Sequence, residues 1–127
     1  MELIRGQDWK VFLLSYKGRM PLSDYWLGFI VPYFCLSLLA VIFDLVLLRI
    51  SGIALFQTVL SIVIIYPLTM VAIKRCHDRG RSGFFLLLGL IPLVNLWPII
   101  ELSFLRGTAG SNKYGPDPIP VSWAANL

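Results

Sequence analysis

Between two apolar runs, the stretch KRCHDRGRSG (Lys74 to Gly83) holds four of the chain's eleven Lys/Arg residues and its only histidine. Three kinds of chemistry fit those residue types. Arg75, Arg79 and Arg81 can fork onto an anionic lipid headgroup beside a helix start at Ser82 and Gly83, because guanidinium groups pair bidentately with phosphate oxygens and a helix N-terminus attracts anions. His77 with Asp78 can be read as an acid–base pair acting on lipid phosphates. Adjacent side chains on a helix point apart, however, and the chain has no second histidine to complete a metal-binding set. The third reading is structural and is preferred: a helix continuing to this point puts Arg75 one turn from Asp78 and Arg79, Asp78 pairs with Arg75 or Lys74, Gly80 ends the turn, and Ser82 caps the next helix. Basic residues near an anionic leaflet contribute about 1 kcal/mol each without any pocket, so lipid attraction alone does not define a site.

Other reactive groups are sparse. Cys35 lies inside an apolar run and Cys76 in the basic stretch, at different membrane depths, so no disulfide is expected between them, and Cys76 with His77 lacks the further ligands zinc requires. No catalytic set, metal or cofactor is expected. Asp44 and Glu101 each interrupt an apolar run near its end and are expected to reach outward, Asp44 to Arg49 or water and Glu101 to Arg106. Gln57, Thr58, Ser61 and Asn95 are polar residues of the kind that join helices or, less often, line an ion path. The tail GTAGSNKYGPDPIP (Gly107 to Pro120) turns repeatedly and does not form a helix. Its Asn112, Tyr114 and Asp117 are candidate contacts to the basic stretch, with Asp117 meeting an arginine if the tail returns to that side.

These residues must be placed by long apolar elements. Tyr25 to Leu48 carries only Asp44 as a charge, Ile53 to Ile73 carries none, and Phe84 to Leu105 carries only Glu101. Each is long enough, at about 1.5 Å per residue, to cross a hydrocarbon core of about 30 Å, and unpaired backbone groups in lipid force such runs into helices. The link RISG (Arg49 to Gly52) makes the first two an antiparallel hairpin. The third contains Gly89, Pro92, Asn95 and Pro98, which allow either a single Pro-kinked span or a re-entrant pair of half-helices turning near Ile91 to Asn95; the span is preferred. Upstream, Trp9, Phe12, Leu13 and Tyr16 recur at helical spacing over residues 8–16, as in an amphipathic helix lying in the interface with its apolar face on lipid. Ser23 is the expected N-cap of the first span, with Asp24 in its first turn.

The fold class is therefore all-α and integral to a membrane, a single domain over 1–127. It has an interfacial helix, spans at 25–48, 53–73 and 84–105, a basic loop at 74–83 and a Gly/Pro-rich tail at 106–127. With 57% hydrophobic and 14% charged residues, no water-soluble globule is possible, and the net charge of +4 belongs to the membrane edges and not to a nucleic-acid face. Residues 1–22 contain no apolar core of signal type, so no cleavable leader is expected. Lys/Arg residues cluster before the first span (Arg5, Lys10, Lys17, Arg19) and between the second and third, which orients both segments towards the cytoplasm.

The stretches GRMPLSDYW (Gly18 to Trp26), RCHDRGRSGFF (Arg75 to Phe85), IP (Ile91, Pro92) and GTAGSNKYGPDP (Gly107 to Pro118) together resemble the bacterial inner-membrane family known as domain of unknown function 805, DUF805. The resemblance covers Trp9 to Pro118. It implies a small inner-membrane protein and brings no established activity. Similar proteins often carry basic residues where this chain has Met20, Pro21 and Leu22, which weakens a basic N-terminal patch, and Cys76 stands where an aliphatic residue is common, which argues against a metal or redox task. The resulting expectation is a non-catalytic protein that binds lipid headgroups or a membrane partner, including a second copy of itself. The alternatives are a subunit of an oligomeric transporter or channel, and a lipid-phosphate enzyme.

Overall fold

The computed structural model describes residues 9–51 and 54–118. Asp8 and Arg5, the link residues Gly52 and Ile53, and the tail from 119 onwards lie outside the described residues. The order is α1 (Trp9–Leu14), α2 (Leu22–Tyr25), a π-helical stretch (Trp26–Ile30), α3 (Val31–Ser51), α4 (Phe56–Asp78), a 3-10 helix (Gly83–Leu90) and α5 (Leu96–Phe104). Among the described residues the only extended pairing is an isolated bridge between Asn112 and Gly115.

From α2 to α3 the helix is continuous, with a widened turn where Pro32 follows. Proline offers no N–H to the Gly28 carbonyl and its ring would press on that oxygen in a regular helix; the π-helical turn before it makes room. Gly28 also lets α1 approach, since a Cβ there would lie 2.9 Å from the Phe12 ring. Ser23 is not the N-cap: it lies inside α2, and Pro21, with φ −70°, occupies the cap position without a side-chain bond.

Two helices, Leu22–Arg49 and Phe56–Asp78, are long and apolar enough to cross a membrane, and only 11% and 6% of their most apolar windows are buried. Apolar faces so little covered by the chain need another apolar medium, which a bilayer supplies. At their joined end, Asp44 does not reach outward. It is 4% exposed, and its carboxylate accepts the backbone N–H groups of Phe56 (2.8 Å) and Gln57 (2.7 Å), capping the start of α4. Below it, Ser37 donates to Gln57 (3.2 Å), while Thr58 donates to the Ala54 carbonyl just before α4 and Ser61 to the Gln57 carbonyl one turn back. Gln57, Thr58 and Ser61 are thus bonded within the hairpin.

The third run is not one continuous helix. Pro92 excludes the helical region for the residue before it, and Ile91 takes φ −97°, ψ 119°. Leu93 then adopts a left-handed φ of 69°, completing a reversal over residues 91–95. Pro98, which reads as a kink, is the third residue of α5, where its missing N–H has no intrahelical partner to lose. The two arms are about 16 and 13 Å long by their helical rises, roughly half of a hydrocarbon core each. In place of one continuous kinked helix the run forms two short helical arms joined by this reversal, and the tail lies at the end of the molecule that holds Lys74 to Gly83.

Two small cores fix this end. Phe12, Met20, Phe29 and Val71 pack α1 and the segment after it onto α4, so Phe12, expected on lipid, faces inward. Cys76, Phe85 and Leu102 pack the 3-10 helix and α5 onto the last turn of α4.

Candidate functional site

α4 runs to Asp78, so Lys74 to Asp78 form its last turn, not a loop, and all five are buried. A helix that ends leaves four carbonyls unpaired, and three helix ends meet here. Lys74 turns back to the carbonyls of Val11 (3.1 Å) and Phe12 in the last turn of α1, and Tyr66 donates its hydroxyl to Leu14 (3.1 Å). Arg75, fully buried, donates to the carbonyls of Leu102 (2.9 Å) and Leu105 at the end of α5. Trp26 donates its indole N–H to the Ser103 carbonyl and Arg79 to that of Arg106. The cations are helix caps, and helix C-termini are where positive charge is favoured.

Asp78 is the hub. Its Oδ2 accepts Arg75 Nη1 (2.6 Å) and its Oδ1 accepts Arg19 Nε (3.0 Å), and it is 2% exposed. Arg19 continues to the carbonyls of Thr108 (2.6 Å) and Gly110 (2.7 Å), and the Asp78 carbonyl accepts the Thr108 N–H (2.7 Å). Between them Gly107 lies directly against the carboxylate: a Cβ there would fall 1.9 Å from Asp78 Oδ2. A charge this buried is tolerated only with its partners in place.

A second carboxylate, Glu101, does not reach Arg106's side of the membrane edge as expected. Its Oε1 accepts Arg79 Nη2 (3.1 Å) and Arg81 Nε (2.8 Å). Burial works against its charge, but hydrogen bonds from Arg81 and Arg79 and their positive charge outweigh it and hold the carboxyl below its ordinary value. Arg81 is further fixed over the rings of Phe85 (4.4 Å) and Trp97 (5.4 Å).

His77 and Asp78, adjacent in sequence, have separate partners, so no relay joins them. His77 Nδ1 bonds the Gly18 carbonyl (3.0 Å), and its ring stacks on Tyr114 at 3.9 Å between centroids. Asn112 donates to the His77 carbonyl (2.9 Å), and its own Oδ1 accepts the Tyr114 N–H. Asp117 accepts the Gly110 N–H (2.8 Å), which folds the tail on itself. Ser82 occupies the N-cap position of the 3-10 helix but makes no side-chain cap bond; its carbonyl accepts the Phe85 N–H.

Arg75, His77, Asp78, Arg79, Arg81, Asn112, Tyr114 and Asp117 are therefore gathered at one end, but Arg75 faces protein and not solvent, so the three arginines do not form an open fork for a headgroup. Reasoning from sequence missed Arg19 as the second partner of Asp78, Lys74 as a cap, and Gly107 and Thr108 as the tail's contact points. A signal for them existed in the motifs GRM and GT, which are not explained by charge or hydropathy.

Beside the cluster opens a groove of about 630 Å³, within the range of small-molecule sites. Ile73 of α4 and Phe84 and Leu87 of the 3-10 helix form its apolar wall, while Lys17, His77 and Ser82 bring polar groups to it. Among the described residues no group of three or more His, Cys, Asp or Glu side chains is placed to hold a metal ion.

The family model described as "Protein of unknown function (DUF805)" matches residues 13–116. The chain is similar to Inner membrane protein YhaH of Escherichia coli (strain K12), at 32% identity over 87% of this chain and 96% of that protein. It is also similar to Inner membrane protein YhaI of the same strain, at 30% over 83% and 86%, and to Uncharacterized protein YiiR, at 30% over 94% of each. No solved structure matches.

Proposed function

We propose that this chain, which belongs to the DUF805 family, is a two-span inner-membrane protein that binds membrane lipid in the groove beside its sealed polar cluster and carries out no catalysis. The placement in an inner membrane draws on the names of YhaH and YhaI together with the two apolar helices. Lys/Arg bias puts the N-terminal segment and the polar cluster on the cytoplasmic face, and the re-entrant hairpin brings the tail to the same side. A phosphatase reporter following Pro118 is accordingly inactive, and activity there reverses the orientation.

The groove carries the lipid reading. The arginines and carboxylates of the cluster are spent on one another and on helix ends, as in a scaffold, whereas the groove is apolar along Ile73, Phe84 and Leu87. Acyl chains gain by leaving contact with water at such a wall. Native mass spectrometry of the protein released in mild detergent tests it: the wild type keeps one lipid per chain, and Leu87→Trp, which fills the groove, keeps none. Equal retention by both removes the groove as the site.

A further inference from the structure

Resting on that groove as the lipid site, we infer that it selects a glycerophospholipid whose headgroup combines an anionic phosphate with an O–H or N–H donor, read by Lys17 and by Nε2 of His77. The argument begins with the histidine's tautomer. A carbonyl oxygen can only accept, so the 3.0 Å contact to Gly18 requires the proton on Nδ1. In the neutral ring Nε2 is then a bare acceptor. It has no hydrogen-bond partner among the described residues, although His77 is 8% exposed and lines the groove. Nε2 is not among the sealed unpaired side-chain atoms of the described residues, so it is reached from outside, where His77 lines the groove.

The surroundings fix what fills that space. The ring cannot turn away, being held by Gly18 on one edge and stacked on Tyr114 over its face. Lys17 lines the same groove next to Gly18, and Lys113 sits 5.1 Å from the Tyr114 ring, so the mouth is cationic. Asp78 and Glu101, the nearby carboxylates of the cluster, are occupied by arginines. The charge thus suits an anion, while Nε2 is placed to accept from a donor. Depth separates headgroup from chain. Ile73 lies one turn of α4 deeper than His77, and Leu87 lies about 8 Å further along the 3-10 helix than Gly83. Gly83 is packed against Ile73, where a Cβ would meet the side chain at 3.2 Å. An acyl chain on Ile73 and Leu87 therefore places its headgroup at Lys17 and His77.

Four probes test the recognition in nanodiscs by native mass spectrometry. Phosphatidylglycerol and phosphatidylethanolamine carry both phosphate and donor, phosphatidylcholine carries phosphate without a donor, and diacylglycerol carries no phosphate. The first two are expected to be retained, phosphatidylcholine roughly tenfold more weakly, in line with one hydrogen bond, and diacylglycerol more weakly still. His77→Asn keeps a donor near Gly18 but, being shorter, has no atom at the place of Nε2, so it abolishes the preference over phosphatidylcholine. Lys17→Gln, at an exposed position that leaves folding intact, abolishes the preference over diacylglycerol. Equal retention of all four by the wild type overturns the headgroup recognition and leaves the groove standing. Retention of none, or retention unaffected by Leu87→Trp, overturns the groove itself.

Discussion

At one end of the α3–α4 hairpin Asp44 lies on two backbone N–H groups, 2.8 and 2.7 Å away, with no ion pair among the described residues; at the other end Asp78 is clamped between Arg19 and Arg75. Both carboxylates are nearly inaccessible, at 4% and 2% exposure, so burial does not separate them. The helix they face does. Asp44 meets the N-terminus of α4, where free N–H groups and the positive end of the helix dipole already favour an anion. Asp78 is the last residue of α4, where free carbonyls and the negative end of the dipole oppose one, and two guanidinium groups are needed to hold it. Glu101, in the last half of α5, repeats the second case with Arg79 and Arg81. Positive charge at this end is therefore structural before it is topogenic.

The comparison can be broken by truncating the two carboxylates in turn. Asp78→Ala leaves Arg19 and Arg75 buried without a counter-charge and is expected to cost about 3–5 kcal/mol in reversible unfolding from detergent micelles. Asp44→Ala removes a cap and leaves no charge stranded, so about 1 kcal/mol is expected in the same measurement. Equal losses would show that the helix end faced does not matter. Acid sharpens the contrast at Glu101. Its folded carboxyl titrates below the ordinary 4.5, so its contribution is fully present above that value and disappears as pH falls through the lowered one. Arg79 and Arg81 are 26% and 39% exposed, so solvent screens the effect and it is the smallest of the three. Melting temperature followed from about pH 6 to about pH 3 should fall less in Glu101→Gln than in the wild type; parallel curves would remove Glu101 from the acid response.

Much of the fold was legible. The two long helices, their hairpin and the approximate position of the basic stretch follow from apolar runs of sufficient length, because lipid leaves the backbone no alternative to helix. The pairing of Arg75 with Asp78 was legible too, being one helical turn apart. The break in the third run was not legible because Pro92 and Pro98 look alike in sequence and act differently: one turns Ile91 out of the helix, and the other occupies a first turn where it removes nothing. Asp44 was assigned to Arg49 or water and Glu101 to Arg106 by sequence distance, whereas Asp44 caps the start of α4 and Glu101 meets Arg79 and Arg81.

The sequence by itself determined that the chain is helical, membrane-embedded and basic at one end, since these depend on composition and on local hydrogen bonding. Only the tertiary structure decided what the basic residues do. Arg19 reaches Asp78 across 59 positions, and Arg75 reaches Leu102 across 27. Those bonds form because three helix C-termini converge on one buried spot, and their free carbonyls and two carboxylates must be neutralised there. A charge count along the chain carries no trace of that convergence, just as it carries none of the groove that opens beside it.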